Sequence, residues 1–208
     1  MSYTHHITDA LVLGSYPRAE GDRLFSLYTE RYGLVPVLAK GIRYEKSKMR
    51  GCLDMYARVH VGFVAGKELY RLTYAEARSG YTRLQSELFR FRGTRAVGDM
   101  ISHLVGEKES DPLLWELVVE TFAFLDDERV APDKLTSVLC GFQIKLLSIL
   151  GYLPGKRPAV VDALYTAKDV SMLASIGAKE REDVRAFLRA VYAYVGLPPP
   201  VVQTFLSL

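Results

Sequence analysis

Between residues 40 and 51 the chain runs Lys40-Gly41-Ile42-Arg43-Tyr44-Glu45-Lys46-Ser47-Lys48-Met49-Arg50-Gly51, which sets five cations against one carboxylate. Ammonium and guanidinium groups at that density neutralise phosphates and release the counterions condensed on a nucleic acid. If the second half of the run is extended, Lys46, Lys48 and Arg50 project to one side, because side chains alternate along a strand. Alternate residues then stand about 6 to 7 Å apart, close to the phosphate repeat of an extended nucleic-acid strand. Tyr44, inside the run, adds a ring on which a base can stack. The competing reading is a solvated loop whose charges serve only solubility.

Thirteen tyrosines are many for this length. Tyr28, Tyr32, Tyr44, Tyr56, Tyr70 and Tyr74 are all candidates for base stacking, against the ordinary fate of a packed ring with its hydroxyl at water. Other chemistry is thin. His5 and His6 sit together near the start, His60 falls in a strand pattern and His103 in a helical one, without the paired spacing of a zinc protease. No GxxxxGK[ST], GxGxxG or GxSxG sequence is present. Glu20 and Asp22 flank Gly21 and read as turn formers rather than metal ligands. Cys52 and Cys140 are the two cysteines, too few and too differently placed for a disulfide framework or a structural zinc site. Asp126-Asp127-Glu128 reads as a solvated helix end. No catalytic residue, cofactor or metal is expected, and the chain is not expected to be an enzyme.

The elements that would hold the basic run follow from periodicity. With 208 residues, 49% apolar and 25% charged, fibrous and disordered classes are excluded. Apolar runs such as Ala10-Leu11-Val12-Leu13 are far short of a bilayer span. The start Met-Ser-Tyr-Thr-His-His has neither the basic nor the apolar segment of a signal peptide, so a cytoplasmic location is expected. The net charge of +3 hides an asymmetry. Residues 1–108 carry 17 Lys/Arg and 11 Asp/Glu, a net of +6, whereas residues 109–208 carry 10 and 13, a net of −3.

Residues 3–78 alternate like short strands: around Ile7 to Leu13, Leu24 to Thr29, Leu34 to Ala39, Val59 to Phe63 and Leu69 to Tyr74, with Tyr70, Leu72 and Tyr74 on one face. Connections too short for crossover helices imply an antiparallel sheet that closes into a small barrel. From Tyr81 the period becomes helical. Leu84, Leu88 and Phe91 share a face, as do Val97, Ile101 and Leu104, and then Leu114, Leu117, Val118, Phe122 and Leu125. Asp111-Pro112 and Ala131-Pro132 open helices, and Leu135 to Leu153 is the most apolar helix, ended by Gly151. A short helix is expected near Lys168 to Ser175 and a longer one from Lys179 to Tyr194, stopped by Gly196-Leu197-Pro198-Pro199-Pro200. The fold class is α+β: a five-stranded barrel over residues 1–79, then an all-helical domain over residues 80–208.

Several stretches together resemble RecO, the bacterial DNA repair and recombination-mediator family. They are Thr8-Asp9-Ala10-Leu11-Val12-Leu13, Glu20-Gly21-Asp22-Arg23-Leu24, Tyr32-Gly33-Leu34, Lys40-Gly41-Ile42-Arg43 and Lys46-Ser47-Lys48-Met49-Arg50-Gly51-Cys52-Leu53. In the helical part, Phe142-Gln143-Ile144-Lys145-Leu146-Leu147-Ser148-Ile149-Leu150-Gly151-Tyr152-Leu153-Pro154 resembles the helix that leads into the family's zinc-binding segment. The resemblance implies an OB-fold barrel, binding of single- and double-stranded DNA, annealing of complementary strands and assistance to RecA loading in recombinational repair. It further implies RecR and the acidic tail of single-stranded DNA-binding protein (SSB) as partners, and a nucleoid-associated location. DNA contacts carried over fall on Lys40 and Arg43, with Lys46, Lys48 and Arg50 beside them.

The sequence departs from the family in two places. Gly155-Lys156-Arg157-Pro158 stands where many members carry paired cysteines, so the zinc module is missing or reduced. Val201-Val202 stands where a Lys-Ser pair is common, which bears on recognition of the SSB tail. A different class of function is an OB-fold protein-interaction adaptor without intrinsic DNA affinity, because fold does not set function.

Overall fold

The computed structural model describes residues 4–78, 81–107 and 109–196. Five strands open the chain: β1 (His5–Pro17), β2 (Arg23–Thr29), β3 (Gly33–Ala39), β4 (Arg58–Ala65) and β5 (Tyr70–Ala77). They close into a barrel in the order β1-β2-β3-β5-β4, which is an OB-fold barrel followed by helices. β1 pairs with both β2 and β4, and a shift between Val12 and Gly14 bends it where it passes from one partner to the other. Val12, Phe25, Leu27, Val35, Val37, Val61 and Phe63 are all buried in the barrel core. The β-branched and aromatic alternation that marked the strands therefore also fills the interior.

Two expectations about the sheet need correction. The sheet is not wholly antiparallel: β3 and β5 run parallel through Val37 opposite Tyr70 and Leu38 opposite Arg71. That short pairing is the seam that closes the barrel and removes its free edges. Nor does Tyr74 face inward with Tyr70 and Leu72. Opposite β5, Gly62 pairs with Tyr74 and Phe63 with Leu72, so Thr73 is the extra residue of a bulge. Its hydroxyl donates to the Gly62 carbonyl at 3.0 Å. One inserted residue flips every later side chain, so Ala75 is buried and Tyr74 stands in solvent.

The chain divides into two compact units, Met1–Tyr81 with Ile101–Trp115, and Thr82–Met100 with Glu116–Leu208. The expected boundary at residues 79 and 80 lies outside the described residues. Within the first unit, Leu34 bridges to Glu107 in a parallel sense, and Trp115 lies against the buried Tyr28, ring centroids 5.9 Å apart. Gly33 is required at this junction. Its φ is +62°, and a Cβ there would fall 2.2 Å from the backbone oxygen of Glu109. Gly33→Ala is expected to cost roughly 2 kcal/mol or more, from the left-handed backbone and the clash together. Hydrogen exchange should show faster opening of residues 106–111; unchanged protection would refute the account.

The helices are α1 (Leu88–Leu104), α2 (Pro112–Asp126), α3 (Leu135–Ile149), α4 (Ala159–Thr166), α5 (Val170–Leu173) and α6 (Ala178–Val195), with a 3-10 turn at Pro132–Lys134 before α3. Asp111 caps α2, its Oδ1 accepting from the amides of Leu113 at 2.8 Å and Leu114 at 3.1 Å. α3 ends at Ile149, earlier than Leu153. Gly151 takes φ +76°, and the amides of Gly151 and Tyr152 return to Ser148 and Leu147. The expected helix near Lys168 to Ser175 contracts to Val170–Leu173. α4 was not expected; its signal, Pro158 before Val161 and Leu164, is short and β-branched. Gly196 ends α6 with φ +74°, while Leu197 to Pro200 and Val201-Val202 lie outside the described residues. Among the described residues no helix is long and apolar enough to cross a membrane.

Candidate nucleic-acid interface

The basic run leaves β3 at Ala39 and returns to β4 at Arg58. It is not extended, so the aligned ridge of Lys46, Lys48 and Arg50 does not form. Instead the backbone closes successive turns: Tyr44 N–H to Gly41 O at 3.2 Å, Ser47 to Tyr44 at 3.0 Å, Arg50 to Ser47 at 3.3 Å and Cys52 to Met49 at 3.2 Å. Ile42, Leu53 and Tyr56 are buried, and Met49 and Cys52 pack on the barrel core. An extended segment could not bring these apolar residues back to one place. Turns can, and they leave the intervening cations outside.

Lys40, Arg43, Tyr44, Lys46, Lys48 and Arg50 are all exposed. Lys40, Lys46, Lys48 and Arg50 form no ion pair with a carboxylate among the described residues. Their positive charge therefore remains available to an outside anion. The first part of the loop is anchored by the β1–β2 hairpin. Gly41 donates its amide to Asp22 Oδ1 at 2.8 Å. The Arg43 amide reaches Gly21 O at 3.1 Å, and its Nη1 donates to Glu20 O at 3.1 Å. Tyr44 lies over Gly21, where a Cβ would come within 2.5 Å of its Cζ. Glu20, Gly21 and Asp22 thus act as turn formers that hold the cationic loop.

The stacking candidates separate cleanly. Tyr28 and Tyr56 are buried, and burial, followed by the charge of Asp111, pushes the Tyr28 phenol upward. Tyr32 and Tyr70 belong to an aromatic group with His6 and Phe63, in which His6 and Phe63 stack at 5.3 Å. Tyr44, 59% exposed, and Tyr74, 45% exposed, are open to solvent.

A second polar cluster was not anticipated. Asp9 on β1 gathers three cationic or protonatable groups: Arg58 Nη2 at 3.0 Å, His60 Nδ1 at 2.7 Å and Arg78 Nε at 3.7 Å. Burial alone would raise the Asp9 carboxyl, but hydrogen bonds from His60 and Arg58 and the charges of Arg58 and Arg78 outweigh it and hold its pKa below the usual carboxylate value. Asp9 and His60 are cross-strand partners. Register, which single-strand periodicity does not contain, brings them together.

In the helical part, the departure after Pro154 is filled by one side chain. Arg157 pairs with Asp162 at 2.7 Å, donates to Pro154 O at 3.0 Å, and lies 4.3 Å from the Tyr165 ring centroid. No group of three or more His, Cys, Asp or Glu that could hold a metal occurs among the described residues. The acidic stretch is not a free solvated end: Asp126 Oδ1 accepts from the amides of Arg83 at 2.7 Å and Leu84 at 3.0 Å, and Glu128 pairs with Arg83 at 2.7 Å.

A closed OB barrel carrying an exposed cationic loop, its Lys40, Lys46, Lys48 and Arg50 in no ion pair among the described residues, defines an OB-fold domain. Residues 1–81 match the family model described as "Recombination protein O N terminal". Curated proteins named DNA repair protein RecO are similar to the chain. That of Halalkalibacterium halodurans is 24% identical over 149 residues, covering 72% of this chain and 57% of the relative. That of Dehalococcoides mccartyi is 28% identical over 152 residues, covering 72% and 58%. That of Heliobacterium modesticaldum is 31% identical over 145 residues, covering 70% and 51%. Residues 1–81 thus form a RecO N-terminal domain, and the similarity to RecO proteins extends beyond it. It matches little more than half the length of these relatives.

Proposed function

We propose that the protein acts in DNA repair and recombination by binding single- and double-stranded DNA, annealing complementary strands and assisting RecA loading, with RecR and the SSB tail as partners. The observation that carries the reading is the loop of Lys40, Arg43, Lys46, Lys48 and Arg50, exposed and anchored on the barrel of a RecO-type domain. A cluster of exposed cations neutralises phosphate without reading bases, which is what pairing of arbitrary complementary strands requires. Screening the mutual repulsion of two strands lets them meet, and the exposed ring of Tyr44 offers a sequence-tolerant platform for a base.

If all five cations touch single-stranded phosphates, the salt slope approaches about −3.5, at roughly −0.7 per contact. Lys40→Ala/Arg43→Ala is then expected to bind about 25-fold more weakly at 0.1 M salt and to anneal more slowly, with or without SSB. Annealing at the wild-type rate by this variant would remove Lys40 and Arg43 from the site. Capture of RecR with no measurable affinity for DNA would assign the barrel to protein interaction instead.

A further inference from the structure

The Asp9 cluster lies on the outer wall formed by β1, β4 and β5. OB barrels bind oligonucleotides over strands 2 and 3 and the β1–β2 and β4–β5 loops; Arg58 opens β4 and Arg78 follows the end of β5, at the far end of these strands from the β4–β5 loop, so the cluster is outside that surface. We propose that it is a second binding surface for a nucleic-acid phosphodiester backbone, masked by Asp9, which occupies Arg58, His60 and Arg78 as an internal substitute for phosphate. The inference rests on the DNA-binding reading above.

Three observations lead to it. The first is the excess of donors. Arg58, His60 and Arg78 come from β4 and the end of β5, yet all converge on one carboxylate. Arg78 is also held beside Arg58 by its own amide, which donates to Arg58 O at 3.0 Å. A planar guanidinium fork and an imidazole suit a phosphate oxygen as well as a carboxylate oxygen. The second is accessibility. The side chains of Arg58, His60 and Arg78 are 34%, 26% and 45% exposed, so an incoming anion reaches them without opening the core. The third is the bulge at Thr73, which turns Tyr74 outward beside His60, ring centroids 6.3 Å apart. The Tyr74 hydroxyl is held by Glu76 Oε2 at 2.6 Å, which presents an oriented ring next to the cations. Cations with an adjacent exposed ring are the two parts of a single-strand surface.

A carboxylate in an exposed cationic cluster can equally serve only to tie strands together, and the variant Asp9→Asn separates the two roles. Asparagine keeps the shape and one acceptor while removing the competing charge. Asp9→Asn is expected to bind a fluorescent single-stranded oligonucleotide about 5-fold more tightly at 0.1 M salt, with a salt slope steeper by about 0.7. The gain should persist when Lys46, Lys48 and Arg50 are alanine, and should vanish with Arg58→Ala/Arg78→Ala. Glu68→Gln, the same charge change on the β4–β5 turn, controls for net charge. As a second variant, Arg78→Gln in the Asp9→Asn background should lose most of the gain, whereas Arg78→Gln with Asp9 intact should bind as the wild type does. Unchanged affinity and slope in Asp9→Asn, in protein that still binds DNA, would overturn the masked surface and leave the cluster structural. Failure of the wild type to bind DNA at all would instead overturn the DNA-binding reading.

Discussion

Replacing Lys46, Lys48 and Arg50 together by alanine is expected to weaken single-stranded DNA binding by about 100-fold at 0.1 M salt and to flatten the salt slope from about −3.5 to about −1.4. The size follows from counterion release: three contacts at roughly 0.7 each remove about two decades at that salt concentration. The slope matters more than the affinity, because a partly unfolded variant also binds weakly but does not lose a defined number of ionic contacts. Stability should change little, since all three side chains are exposed and form no ion pair among the described residues. The apolar residues that hold the loop, Ile42, Met49, Cys52 and Leu53, are untouched. An unchanged slope in this variant would exclude the second half of the loop from the interface and leave only Lys40 and Arg43.

Arg90→Met is expected to destabilise the protein by about 3 kcal/mol or more, measured as a fall in the urea midpoint. Arg90 is 2% exposed. Its Nη1 donates to the carbonyls of Leu125 and Asp127, the latter at 2.7 Å, and its Nη2 reaches Val130 O at 3.4 Å. Glu87 lies 3.1 Å from its Nε. Those carbonyls belong to the end of α2 and the turn after it, where the helix leaves acceptors without partners of its own. Methionine fills a similar volume but donates nothing, so buried carbonyls lose their partners. Arg95→Met on the same helix provides the contrast. Arg95 is 66% exposed and pairs with Asp99 at the surface, so its loss should cost less than about 0.5 kcal/mol. A cost for Arg90→Met below about 1 kcal/mol would show that water replaces the guanidinium.

The helical face of α1 shows why residue type alone misleads. Leu84, Leu88 and Phe91 have the spacing of one apolar stripe, yet Leu88 is 64% exposed and Arg90 takes a buried place. An arginine reads as solvent-facing because an unpaired charge is costly to bury. What reverses that cost is a set of carbonyls 35 to 40 residues away, and periodicity carries no information about them. The Asp9 cluster escaped for the same reason: Asp9 stands 49 and 51 positions before Arg58 and His60, and strand register brings them together.

What the sequence determined by itself is local and composition-driven. The strand alternation from β1 to β4, the long apolar α3, the Asp111 cap and the Gly151 stop all follow from side-chain spacing and backbone preference within a few residues. The basic run and its exposure also follow, because five cations with one carboxylate have no cheaper place than solvent. Tertiary structure alone decided the parallel seam between β3 and β5, the bulge that turns Tyr74 outward, the folding of the cationic loop into turns over the barrel, and the partners of Asp9 and Arg90. Each depends on pairing between distant segments. There the energy of burying apolar residues and satisfying hydrogen bonds outweighs the local preference that a sequence pattern records.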